Sequence, residues 1–382
     1  MNELTVEIKT EQSNKLKVVW SMLGAKELPY YVSRQQVEQI GDELRETLGH
    51  FVANAVANGA STVGEDLKEL AARGKELYLE LFNDAGGSQV NPEDIRNWIP
   101  SLGPTRITFN IEDYLHIPWG LIFDGDETKL PGAGGSVDVA LYGDFWGLKY
   151  RTTSLYYRIP PRGLTTMRPA NALRPLHTLN ADCLASAKVL LSAEQMDFFN
   201  HIIPSPIHSS AEFWKSWEDQ KGEFDLLHFY CHANGSSLLI KADDEITVRN
   251  LQQKLKRNGP GTAPCLVFLN GCHTAAGDSS GNFLEATGRA GFCGFVGTET
   301  QVPDVFALRF GLALHDHLLY DDQELHEVMD RLRRAHWPVS IVYSLCAYGG
   351  FRVSPPKQGL RLRPSQSTVI NYSNEILGTR LV

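Results

Sequence analysis

Two short segments of this chain carry residue types that can do covalent chemistry. Cys231-His232-Ala233-Asn234-Gly235 offers an imidazole, and Asn270-Gly271-Cys272-His273-Thr274 offers a thiol. Each begins at or just past the end of a strongly apolar run, residues 224–231 and 264–269, of the kind that forms a buried strand. A free thiol, with a pKa of about 8.5, is mostly protonated at neutral pH. A neighbouring imidazole can take that proton, or hand one to a departing amine. The small residues Ala233, Gly235 and Gly271 let a peptide approach closely and leave main-chain N–H groups for an oxyanion. That is the layout of a cysteine peptidase. By themselves, a Cys and a His at strand ends are more commonly packing residues, and both readings stand at this point.

The elements around these segments set their placement. A third apolar run covers 291–297, and helices are expected near 248–256 and 283–289. Continuous apolar strands separated by helices imply a parallel sheet covered on both faces. Such sheets bear their sites just past the C-terminal strand ends. Neighbouring strands lie about 5 Å apart, so side chains at adjacent ends converge. Upstream, strands are expected at 4–8 and 16–20. Two capping boxes, Ser33-Arg34-Gln35-Gln36 and Thr62-Val63-Gly64-Glu65, open amphipathic helices, the first of them ending at Gly59. Strands return at 106–111 and 119–123. The polar, Gly-rich stretch 124–136 reads as a mobile loop, and 158–174 as a linker.

Composition narrows the function classes. The chain has 382 residues with a formal net charge of -9 and no Lys/Arg block, which excludes a basic nucleic-acid groove. No apolar run reaches the roughly 18 residues of a membrane helix, so no membrane partner is expected. The acidic, alternating start, Met1-Asn2-Glu3-Leu4-Thr5-Val6-Glu7, is neither a signal nor a transit peptide. The six cysteines follow no framework spacing, which reads as reduced and cytoplasmic.

Other chemistries fit the residues less well. Asp124-Gly125-Asp126 opens like a calcium loop, but Lys129 stands where the required Gly belongs. Cys231-His232 and Cys272-His273 offer four zinc-type ligands, yet adjacent residues of an extended chain point to opposite faces. Gly277-Asp278-Ser279-Ser280-Gly281 has the G-x-S-x-G pattern but lies well past the strand end that a nucleophile elbow needs.

These residues carry a family resemblance. The run 227–235 resembles the histidine motif of CHAT domains, and 266–275 resembles their nucleophile motif. Residues 115–122 resemble the family's Pro-Trp-Glu segment, with Gly120 in place of the Glu. Residues 290–298 resemble the strand after the nucleophile, and 347–351 the closing strand. CHAT domains are caspase-like cysteine peptidases, distantly similar to separases and gingipains. The resemblance implies an α/β fold with a caspase-like, mostly parallel sheet flanked by helices. It implies an N-terminal α/β lobe over 1–165 like a degenerate caspase half, a catalytic lobe over 166–355, and a tail over 356–382. It makes His232 and Cys272 a catalytic dyad, with the N–H groups of Ala233 and Cys272 as oxyanion donors. Ala233 replaces the family's usual Gly and still supplies an N–H. The segment 298–304 would line the S1 pocket, where Glu299 and Asp304 would favour a basic P1 residue; Asp304 also reads as the cap of the helix that follows, which leaves Glu299 the better candidate. No cofactor is implied. A protein substrate, a regulatory protein partner and a role in bacterial signalling or defence are. The alternative is a caspase-like interaction module that has lost catalysis.

Overall fold

The computed structural model describes residues 2–354, apart from 13, 23–27, 60–62, 87, 89, 112–114, 157–165, 168–172, 256–264, 277–281 and 348–350. The tail 356–382, the G-x-S-x-G stretch and most of the linker and closing-strand motifs therefore lie outside the described residues. Two compact units make up the chain, residues 1–158 and 159–379.

In the first unit, β1 (Asn2–Gln12), β2 (Lys15–Met22) and β3 (Leu28–Ser33) precede two long helices, α1 (Arg34–Asn58) and α2 (Val63–Glu80). The short α3 (Pro92–Trp98), β4 (Thr105–Ile111), α4 (Trp146–Lys149) and β5 (Arg151–Tyr156) follow. The sheet order is β3-β2-β1-β4-β5, with β4 parallel to both β1 and β5. Leu4, Val6 and Ile8 alternate into the core, as their period of two requires. Ser33 accepts a hydrogen bond from the N–H of Gln36 and so caps α1, while Gly59, at φ 78°, ends it. The long α1 buries Val37, Leu44, Leu48 and Phe51, its helical stripe.

One expectation needs correction here. Residues 119–123 do not form a strand: Trp119–Leu121 is a 3-10 turn, and only Phe123 bridges, to Phe145. The Trp119 ring stacks on Phe109 with centroids 4.0 Å apart, so aromatic packing overrides the strand propensity of the run. The 124–136 stretch is a loop anchored at its base by Asp124, which takes the Lys149 ammonium at 2.7 Å, and Asp126 caps a short turn over Glu127–Lys129.

The second unit starts with β6 (Thr166–Met167), β7 (Pro175–Leu179), α5 (Ala181–Leu190), α6 (Ala193–Ile202) and α7 (Ser210–Asp219). Next come β8 (Leu226–Tyr230), β9 (His232–Ala233), β10 (Ser237–Lys241), β11 (Asp244–Thr247) and α8 (Val248–Lys254). Then follow β12 (Leu266–Asn270), α9 (Phe283–Arg289), β13 (Gly294–Thr298), α10 (Asp304–Tyr320), β14 (Gln323–Glu324) and α11 (Leu325–Ala335). The described part closes with β15 (Tyr343–Ala347) and β16 (Arg352–Val353). The main sheet runs β15-β13-β12-β8-β7; only β15 is antiparallel. Every residue of β8, β12 and β13 is buried, as a sheet covered on both faces demands. This is a mostly parallel α/β sheet flanked by helices, as the motifs imply. The strand β7 lacks the continuous apolar run of its neighbours because His177 and Thr178 interrupt it.

His177 belongs to a buried histidine cluster. His177 and His228 are register partners on β7 and β8, with their Nδ1 atoms 3.1 Å apart. His315 of α10 packs its ring 4.5 Å from that of His228, and its Nδ1–H donates to the carbonyl of Gly311. Burial holds all three rings neutral: the pKa of His177 falls to about 3, that of His315 to about 4, and that of His228 well below the ordinary imidazole value. In the unfolded chain the same rings take up protons at about pH 6.5. Their contribution to stability is therefore whole above pH 6.5 and is lost as pH falls toward 4. The urea midpoint is expected to drop across that window, and His315→Leu, similar in volume and uncharged, to flatten the drop. A midpoint equally steep in both proteins would contradict this.

Candidate active site

The two segments singled out for chemistry meet at the C-terminal edge of the main sheet. Asn270, the last residue of β12, pairs with Tyr230, the last residue of β8. The chain then continues on one side through Gly271 to Cys272, and on the other through Cys231 to His232. Gly271 is needed at this crossing. A Cβ there would stand 2.5 Å from the carbonyl oxygen of Cys231 and 3.2 Å from the Cβ of Ala233. Any larger residue would push the two strand ends apart.

Several bonds hold the thiol side. The Asn270 amide donates to the carbonyl of Ala307 at 2.8 Å and accepts from the Tyr343 hydroxyl at 2.6 Å, tying β12 to α10 and β15. Beyond Cys272, His273 adopts φ 57° and donates its N–H to Thr300. This left-handed turn redirects the chain immediately after the cysteine. Thr274 then donates its hydroxyl to the carbonyl of Leu269, and the Thr298 hydroxyl donates to that of Gly271 at 2.5 Å. On the histidine side, β9 pairs with β10, His232 opposite Leu239 and Ala233 opposite Leu238.

Exposure separates the cysteines. Five of the six are buried and Cys272 alone is partly exposed. His232 is exposed. The Cys272 Sγ lies 3.9 Å from the carbonyl of Val302, a weak S–H contact. Burial pushes its thiol above the usual range, and the nearby Asp304 carboxylate pushes it further in the same direction. The Cys272 thiol is therefore held protonated at neutral pH.

Of the two carboxylates expected at the S1 pocket, Glu299 is buried and accepts a hydrogen bond from Ser344; the Arg333 guanidinium lies within electrostatic reach. Asp304 opens α10 and stays partly exposed. Its carboxylate lies within 4.8 Å of both a ring nitrogen of His232 and the Cys183 Sγ. Sequence reading did not connect Cys183 with His232. Cys183 sits in the first turn of α5, which Asn180 caps, some 50 positions upstream, and no spacing links the two. Asp304 was legible only as a pocket carboxylate or helix-opening residue.

Comparison with known proteins places this unit. Residues 170–340 match the model of the CHAT domain. No curated protein matches the chain. Among solved structures, one described only as "Structure of Protease" is 11% identical, covers 83% of this chain and 77% of its own, and superposes with a TM-score of 0.44. Separase from Saccharomyces cerevisiae, in a separase–securin complex, is 9% identical over 90% of this chain with a TM-score of 0.47. This chain spans 30% of that separase chain. A second determination of that complex gives 9% identity and a TM-score of 0.46. Within the second unit, the stretch 170–340 is thus similar to the CHAT domain. Among the described residues, no helix is long and apolar enough to cross a membrane.

The thiol chemistry is open to direct measurement. Iodoacetamide on the native protein is expected to alkylate Cys272 before the five buried cysteines. The rate is expected to be slow at neutral pH and to keep climbing beyond pH 9.0, because burial raises the thiol. A plateau near neutral pH, or faster labelling elsewhere, would contradict the geometry.

Proposed function

We propose that the chain is a cysteine endopeptidase of the CHAT type, acting on a protein substrate through His232 and Cys272. The observation that carries this reading is the one partly exposed cysteine of six, set beside an exposed histidine across the β8–β12 pairing. The Cys272 Sγ attacks a peptide carbonyl carbon while its proton passes to the His232 imidazole. The N–H groups of Cys272 and Ala233 hold the oxyanion. The closeness of Ala233 to Gly271 supports that pairing of donors. As the tetrahedral adduct collapses, the C–N bond breaks and the imidazolium protonates the leaving amine. Water, deprotonated by His232, then attacks the thioester; the acid leaves and the thiol regains its proton.

Asp304 stands where it steadies the imidazolium that forms during attack. The preference for a basic P1 residue rests on Asp304 rather than on Glu299, whose carboxylate is already engaged inside the unit. A protein partner, in bacterial signalling or defence, is the proposed source of activation. A raised resting thiol suits an enzyme that is idle until a partner or substrate alters its surroundings. The same observation favours the second reading, a silent interaction module.

Cys272→Ala and His232→Ala are each expected to lower kcat/KM for a cleaved peptide by at least about 10³-fold, with unchanged thermal unfolding. Cys231→Ala and His273→Ala, which lie one residue away on either side, are expected to stay within a few-fold of wild type. Full activity in Cys272→Ala, assayed with fluorogenic peptides carrying Arg, Lys or Asp at P1, would refute the assignment.

A further inference from the structure

We propose that Cys183, His232 and Asp304 form a three-ligand zinc site at the dyad, and that an ion bound there shuts the peptidase off. The regulatory half of this proposal rests on the function assigned above; the metal site does not.

Three elements deliver the ligands: the first turn of α5, the strand β9 and the first residue of α10. Their donor atoms, one sulfur, one nitrogen and one oxygen, all lie within 4.8 Å of one another. In a tetrahedral zinc site, bonds of roughly 2.0–2.3 Å put neighbouring donors about 3.3–3.8 Å apart. Closing that difference takes side-chain rotation rather than a backbone shift. His232 is exposed and Asp304 is partly exposed, so both have room to rotate, and the exposed side gives the ion a way in.

The donor types also fit. Zinc prefers thiolate, imidazole and carboxylate, and one thiolate with one carboxylate balances its two charges. Cys272 lies within electrostatic reach of Cys183 and Asp304, beside this set of three donors. The other histidine-rich cluster, His177, His228 and His315, is fully buried and offers three neutral rings with no anion, and it is not assigned a metal.

Cys183 has no part in the peptide chemistry. It is buried, and its thiol is pushed up to about 12, first by burial and then by Asp304. A thiol and a carboxylate held together disfavour each other's charged forms, and a cation is what reverses that sign. Binding removes the proton of the neutral Cys183 thiol, so affinity rises with pH. The ion takes the imidazole lone pair of His232, and the dyad loses its base. Chelation of the ion returns the proton and frees the site.

The full chain, stripped of metal, is titrated with Co²⁺ and then Zn²⁺, and zinc content after dialysis is measured by elemental analysis. Expected are one ion per chain, a thiolate-to-cobalt charge-transfer band with strong tetrahedral visible bands, and loss of both bands on adding Zn²⁺. Cys183→Ser and, separately, Asp304→Asn are each expected to weaken zinc binding at least tenfold. In the activity arm, Zn²⁺ inhibits the wild type and EDTA restores it, whereas Cys183→Ser keeps its basal activity and loses the zinc sensitivity. The cobalt spectrum and zinc stoichiometry need no turnover, so a chain without peptidase activity leaves the metal site decided on binding alone. Absence of a thiolate band overturns the proposal. So does zinc binding unchanged in both variants. Inhibition with the same constant in Cys183→Ser places the ion on the dyad alone and overturns it as well. Should Cys183→Ser fail to fold by circular dichroism, Asp304→Asn decides the binding arm.

Discussion

Everything at the candidate site depends on the close approach of two backbone segments just past β8 and β12. Parallel pairing brings Tyr230 and Asn270 level, and Gly271 lets the carbonyl of Cys231 come nearer than any Cβ would allow. That contact fixes the distance between two stems, one leading to His232 and the other to Cys272. The hydrogen bonds of Asn270 to Ala307 and Tyr343 then hold the end of β12 against α10 and β15. A buried sheet with no freedom to slip thus presents its chemistry on short, well-anchored ends rather than on long loops.

The same packing sets the electrostatics. Cys272 is half withdrawn from water, and its near charged neighbour is the carboxylate Asp304, not a cation. Burial keeps the thiol protonated at neutral pH, so in the proposed mechanism the proton moves during attack instead of beforehand. Such an arrangement trades resting reactivity for protection from oxidation and stray alkylation. Bringing the His232–Asp304 pair into closer register with the thiol is the change that would raise its reactivity.

How much of this was legible in the sequence follows from physical range. The strands β8, β12 and β13 were readable because a sheet buried on both faces writes an unbroken apolar run. The cap at Ser33 and the stop at Gly59 were readable because capping is a local matter of three or four residues. The turn at Trp119 was not, because the Phe109 ring that it stacks on lies ten positions upstream in β4, beyond the reach of local propensity. The strand β7 was hidden by His177 and Thr178; the first of these packs against His228 and His315, which come from elements far along the chain. Likewise, His232 and Cys272 stood out at strand ends, whereas the convergence of Cys183 and Asp304 on His232 arises from two helix starts whose positions no spacing encodes.

The central claim is that Cys272, activated through His232, is the nucleophile of a peptidase-type site. A peptidyl acyloxymethyl ketone with Lys at P1, incubated with the native chain and followed by intact mass and peptide mapping, tests it most directly. The account expects one adduct per chain, on Cys272, lost in Cys272→Ala and slowed strongly in His232→Ala. An adduct on any other cysteine, or labelling of Cys272 at the same rate without His232, would contradict it.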